Sequence, residues 1–520
     1  MSHSANMTLL TLPNELLLQV MKHLQESRDV EALQSAARTC RALREVAEMH
    51  LYAVAEFVTL AALYEFLEAT RAYPQRINYV RHLKLLYSTS RYDHNQEASP
   101  PDLTSFPRLT SFVSESPECQ PWSAKRTHWN KFMTSYVDAF NQASLLNDTV
   151  TTPRPLQTLE SLVLHWTGTD DRFWDITPTS PIFLLPQLRS LEISSARVGQ
   201  EGQTDWEADE LERFRNQTRL KSLTFTECVV SVEALHAVLS FPAALEYFSL
   251  CEKFYHKQEI GDRWATEDSG AFNRAISQQA GSLKSLQIYR YSRYVEDKKT
   301  LALSLADFRA LSHLQLGPYM SRSQTAPVFN YSLLTPLPPL ESLRLDDYAV
   351  SMLKAPRANR ILSELSLDEL LANAEERSLS FTLDISLQHL PLLLRGAHLH
   401  GQDVRPVVHK LVEKLENRFQ VMQEASIRSR SEQTSDERPS KCSSRLRVLT
   451  NKPRHKIPPF LHNEGPPRYV VRFDSSHPER FLSKPYTENI VSSDRDSSDD
   501  EDMDAAFREQ ADVDPRQVLT

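Results

Sequence analysis

One six-residue pattern, L-x-x-L-x-L, returns so often that it limits the fold more than any other feature. It reads LESLVL from Leu159, LRSLEI from Leu188, LKSLTF from Leu220 and LEYFSL from Leu245. It continues as LKSLQI from Leu283, LSHLQL from Leu311, LESLRL from Leu340 and LSELSL from Leu362. VRHLKL from Val80 fits as a first copy, and LTSFVS from Leu109 is imperfect because Ser114 replaces an apolar residue. The intervals between the eight full copies are 29, 32, 25, 38, 28, 29 and 22 residues. The last two apolar residues of each copy alternate, as on a strand with one buried face. Short helical stretches lie between copies: Val232 to Leu239 after Ser231, Asp209 to Gln217, and Gly270 to Gln279. A strand with a short helix cannot bury its own apolar edge, so successive units must stack. The pattern predicts an α/β chain built as a solenoid.

These copies resemble leucine-rich repeats, with one departure. Three residues past the final apolar position that family has Asn or Cys, and here only Cys228 fits; Thr167, Ala196, Lys253, Tyr291, Tyr319, Tyr348 and Leu370 stand elsewhere. The repeats are therefore irregular, a style that resembles filamentous-fungal repeat proteins. Strand alternation places the residues between the leucines on an outward face, where solenoids hold partners. That face predicts target contacts at His165, Glu192, Gln287, Tyr289, His313, Gln315, Arg344 and Asp346, with Tyr294 on an adjacent aromatic loop. The repeat region is expected over 56–424, with an insertion at 88–155 and a helical cap at 403–424. Within the insertion, Trp129, Phe132, Met133, Tyr136, Val137 and Phe140 fall on one side of a helix that is expected to pack on the repeats.

The N-terminal stretch, 12–55, reads differently. Pro13 suits a first helical turn and Glu15 favours the helix dipole. Leu16, Leu17, Val20, Met21 and Leu24 then recur at helical spacing. Ser27 or Asp29 can cap a second helix, in which Val30, Leu33, Ala37, Cys40 and Leu43 step by threes and fours. A unit of about forty residues cannot bury every apolar face, which leaves a candidate docking surface. L-P-x-E-L-L at Leu12 to Leu17, with Leu24 and Cys40-Arg41-x-Leu43, resembles an F-box. That resemblance implies docking onto a Skp-type adaptor and, through it, a cullin scaffold, as the substrate receptor of a ubiquitin ligase. It implies adaptor contacts at Leu12, Pro13, Glu15, Leu16, Val20, Leu24, Leu33, Cys40 and Leu43. A repeat scaffold without ligase function, and an F-box assembly factor that transfers no ubiquitin, remain open alternatives.

Composition argues against other classes. The formal charge of −9 does not suggest a nucleic-acid partner. No apolar run approaches a membrane span and no signal-peptide pattern opens the chain. Five scattered cysteines suggest neither a disulfide framework nor a metal site, and fit a reducing cytoplasm or nucleus. Ten glycines in 520 residues are few, and no phosphate loop, nucleophile elbow or zinc-protease motif is found. A non-catalytic protein with no cofactor is expected. Residues 1–11 and most of 425–520 have the composition of disordered segments, although RYVVRF from Arg468 could form a strand. In the acidic end, Ser493, Ser497 and Ser498 each have an acid three residues on, and resemble acidophilic kinase sites.

Overall fold

The computed structural model describes residues 12–27, 29–86, 100–116, 129–146, 154–166, 173–199, 211–252, 265–290, 301–317, 338–345, 381–386, 398–399, 402–403, 417, 444–451 and 468–474. They fall into two units. One holds the described residues up to 340, and the other holds those from 341 onward.

The first unit opens with helices α1 (Asn14–Glu26), α2 (Val30–Thr39) and α3 (Arg41–Leu51). Two residues later β1 (Val54–Phe57) begins a parallel sheet, one residue before the sequence-based boundary. The sheet runs through β2 (His82–Leu86), β3 (Ser111–Glu115), β4 (Ser161–His165), β6 (Ser190–Ser194) and β8 (Ser222–Thr226). It continues through β10 (Tyr247–Cys251), β11 (Ser285–Tyr289) and β12 (His313–Gly317). From β2 onward each strand is one copy of the hexapeptide, with its fourth and sixth residues pointing inward.

The register explains why the leucines recur. Leu83, Phe112, Leu162, Leu191, Leu223, Phe248, Leu286 and Leu314 stand side by side in one row. All are buried. Full burial of such a side chain is worth roughly 1.5–3 kcal/mol, and each row shares that gain across neighbouring strands. The entry into each strand is equally regular. The Arg81, Thr110, Glu160, Arg189, Lys221, Glu246 and Lys284 carbonyls each accept two successive N–H groups from the next copy. This repeated bifurcation fixes every strand in the same register.

The imperfect copy from Leu109 is a full strand, so part of the stretch read as an insertion lies within the sheet. Its anomaly has a physical answer. Ser114 sits at a buried apolar position, and the Trp166 indole N–H donates to its hydroxyl at 2.9 Å. The aromatic helix expected nearby is α5 (Trp129–Ala143), which buries Phe132, Tyr136 and Phe140. Tyr136 meets Phe112 edge-on at 5.2 Å and stacks on Trp166 at 6.2 Å.

Between the main strands the chain forms a second, three-stranded parallel sheet of β5 (Trp174–Ile176), β7 (Ala196–Val198) and β9 (Val229–Val230). Ser195 and Glu227, which follow β6 and β8, share a left-handed conformation, with φ of 52° and 54°. Gly199 enters that conformation beside Ala234, whose Cβ would lie 2.5 Å from an added Cβ. Two expected helices appear: α6 (Val232–Ser240), capped by Ser231, and α7 (Ser269–Ser277), capped by Asp268. The third, 209–217, is a helical turn followed by ordinary turns where it is described.

In the second unit, β13 (Ser342–Leu345), β14 (Phe381–Ser386) and β17 (Ser444–Asn451) are parallel neighbours, and β18 (Arg468–Asp474) pairs antiparallel with β17. β15 (His398–Leu399) and β16 (Gln402–Asp403) form a separate antiparallel pair. The strand expected from Arg468 is present as 468–474, and a second strand that was not expected runs over 444–451. That second segment was hidden by averaging over a Ser-, Pro- and charge-rich stretch. The copy from Leu362 and nearly all of the expected cap at 403–424 lie outside the described residues, as do 1–11 and the acidic end.

Candidate docking site

The three N-terminal helices follow from local signals. Pro13 precedes α1 in an extended conformation and Glu15 sits in its first turn. Asp29 caps α2, its carboxylate accepting from Ala32 N at 3.0 Å. Cys40 is extended, with φ −156°, and turns the chain between α2 and α3. The Arg44 side chain ties the two helices by donating to the Ala37 carbonyl at 3.2 Å. The helices pack around Leu17, Met21, Leu33, Leu43 and Ala47. His50 on α3 meets Gln25 on α1 at 2.8 Å. Burial, aided by Lys22, holds the His50 imidazole below its usual range.

This core uses one edge of α1 and leaves another in solvent. Leu17 and Met21 are buried, whereas Leu16 is 43% exposed and Val20 is 39% exposed. Pro13 and Glu15 are also exposed. Pro13, Leu16 and Val20 lie along one side at helical spacing, one turn apart. Leu12, Leu24 and Cys40 are half-buried against the core. The sequence reading also placed Leu33 and Leu43 among the adaptor contacts. They are 2% and 5% exposed. Their side chains hold the helices together, and the exposed apolar stripe lies on α1.

A feature the sequence did not reveal joins this unit to the sheet. Arg76, in the 3-10 turn Pro74–Tyr79, donates to the Glu48 carboxylate of α3 at 2.5 Å and to the Ala69 carbonyl of α4 (Leu60–Ala72) at 3.3 Å. Its guanidinium also lies over Tyr52 at 5.0 Å and Tyr73 at 4.4 Å. The Glu48 bond raises the Arg76 pKa further. No local pattern connects residues 28 apart in sequence, and only the fold brings them together.

The outward face of the sheet separates the predicted target contacts. Glu192, Thr224, Ser249, Gln287 and Gln315 stand in one row, and Tyr289 lies one row away beside Cys251 and Gly317. His313 is exposed at the end of a row that includes Ser285. His165 is only 8% exposed and sits 3.9 Å from the buried Glu115 carboxylate. The neighbouring Leu86, Val113 and Val163 on the same face are buried as well. Arg344 lies in the second unit, in register with Asp384. Tyr294, Asp346, Ser493, Ser497 and Ser498 lie outside the described residues.

Comparison with known families places one domain. Residues 9–53 match the F-box-like family model, and helices α1 to α3 lie within that range. No curated protein matches the chain.

Proposed function

Taking the F-box-like unit as the premise, we propose that this chain is the substrate receptor of a Skp–cullin–F-box ubiquitin ligase. The observation that carries the reading is the apolar stripe of Pro13, Leu16 and Val20, left exposed on the helix that opens the matched domain. Covering a Val or Leu side chain is worth roughly 1.5–3 kcal/mol at most, and the half still exposed supplies part of that to a partner. In this reading a Skp-type adaptor covers the stripe and brings the cullin with it. The sheet acts as an irregular leucine-rich-repeat solenoid whose outward face holds a target protein. The chain itself makes and breaks no covalent bond. Its work is to raise the local concentration of target beside the ubiquitin donor. Cytoplasm or nucleus is the compartment where it would act.

Co-expression with a Skp-type adaptor, followed by size-exclusion chromatography, tests the reading. The intact chain should form a stoichiometric complex. A Leu16→Asp, Val20→Asp double variant should lose it while keeping its helical circular dichroism, and Leu18→Asp, also on α1 but off the stripe, should retain it. A well-folded intact chain that fails to bind overturns the proposal. Cullin in the purified complex separates a ligase receptor from an adaptor-bound assembly factor.

A further inference from the structure

The outward positions of β8, β10, β11 and β12 share a property that no single strand reveals. Each strand offers three: residues 222, 224 and 226, then 247, 249 and 251, then 285, 287 and 289, then 313, 315 and 317. None is Asp, Glu, Lys or Arg, in a chain that is 24% charged. The middle row is Thr224, Ser249, Gln287 and Gln315, with Tyr247 and Tyr289 on either side. Ser249 donates to the Gln287 amide oxygen at 3.4 Å, so neighbouring strands already share a hydrogen bond on this face. Glu192 flanks this patch beside Thr224 in the middle row, and the charges at the two ends of the strands are paired. Glu246 bridges Lys221 at 2.9 Å and Lys284 at 2.7 Å. At the other end Glu252 and Arg290 are buried around Thr266.

We infer that this part of the face recognises an extended, uncharged segment of the target, rich in amide and hydroxyl groups, and does not read a phosphorylated or acidic motif. The inference rests on the substrate-receptor reading and names the class of target. Holding a phosphate takes charge-assisted bonds from Arg or Lys, and this patch has neither. A charged side chain pressed against it would lose water without gaining a counter-charge. Glutamine suits a neutral peptide because its amide offers both a donor and an acceptor to a peptide backbone. Tyrosine adds flat contact area at a low entropic cost.

The test uses the full chain, with and without adaptor, against two displayed libraries: random twelve-residue peptides, and the same design with a fixed phosphoserine. Uncharged sequences should be enriched, and binding of the winners should change by less than about twofold between low and high salt, because no ion pair is screened. Gln287→Arg and Gln315→Arg, each checked for an unchanged melting temperature, should lose the neutral peptides and gain phosphopeptides. Enrichment of phosphorylated or acidic peptides by the unaltered chain overturns the inference, as does enrichment that both variants retain or the absence of any enrichment. Loss of adaptor binding is read separately by co-purification and bears only on the receptor reading.

Discussion

The helical unit and the sheet are built from the same apolar residue types and end with opposite surfaces. On α1, Leu17 and Met21 are buried while Leu16 and Val20 remain in solvent. On the strands β6 to β12 both leucine-type positions of every copy are buried. The difference lies in what stands beside each element. A strand in the middle of the sheet has a copy of itself on both sides, so its apolar rows continue into the next strand. Three short helices form one small core, and among the described residues no further layer covers the outer edge of α1. Surplus apolar surface is therefore what the proposed adaptor would cover on the helical unit. On the sheet the leucines report only stacking, and the proposed target contacts fall to the polar residues between them.

The largest effect should come from breaking the row. Leu223 is fully buried between Leu191 and Phe248. Leu223→Ala should cost about 2–5 kcal/mol in a denaturant titration, the range for a cavity in a packed core. Leu16→Asp should cost far less than that. Equal losses would mean that the α1 stripe is internal core and would erase the contrast.

A smaller effect is expected at the joint between the regions. Arg76→Ala removes an ion pair and two ring contacts from a site where both charged side chains are largely covered. A loss of roughly 1–3 kcal/mol follows from hydrogen bonds to charged groups in such a setting. Hydrogen exchange should accelerate in α3 and β1 and stay unchanged in β10 to β12. Uniform acceleration would show that the joint is not a local device.

How much of this was legible depended on the range of the interactions. The strands could be read because their signal is local, repeated and carried by the core. The α1 stripe could be read for the same reason, since helical spacing orders Pro13, Leu16 and Val20. The burial of Leu33 and Leu43 could not be read, because periodicity shows that a side is apolar without telling whether a core or a partner covers it. The burial of His165 was hidden in the same way: alternation sent it outward, where it lies beside the buried Glu115. The Ser114–Trp166 bond and the Arg76 joint were illegible because each links residues far apart in sequence. β18 could be read from RYVVRF, whereas β17 was diluted by the composition around it.

Two glutamates at opposite margins of the sheet sharpen the contrast at the finest scale. Burial pushes the Glu252 carboxyl up to about 7, against the opposing pull of Thr266 and Arg290. Its folded form keeps the proton longer than the unfolded chain does, so stability should fall as pH rises from about 4.5 to about 7 and then level off. Glu252→Gln should abolish that slope in melting temperature, and a slope unchanged in the variant would assign it to another group. Glu246 is the reverse case. Lys284 and Lys221 hold its carboxyl down to about 2, so its contribution is present above about 4.5 and fades as pH falls toward 2. Its side chain is 36% exposed, and solvent and salt screen both bridges. Glu246→Gln should leave the melting temperature at neutral pH unchanged within error, the smallest effect of the series. A measurable loss there would show that the marginal charges stabilise the sheet as well as the buried rows do.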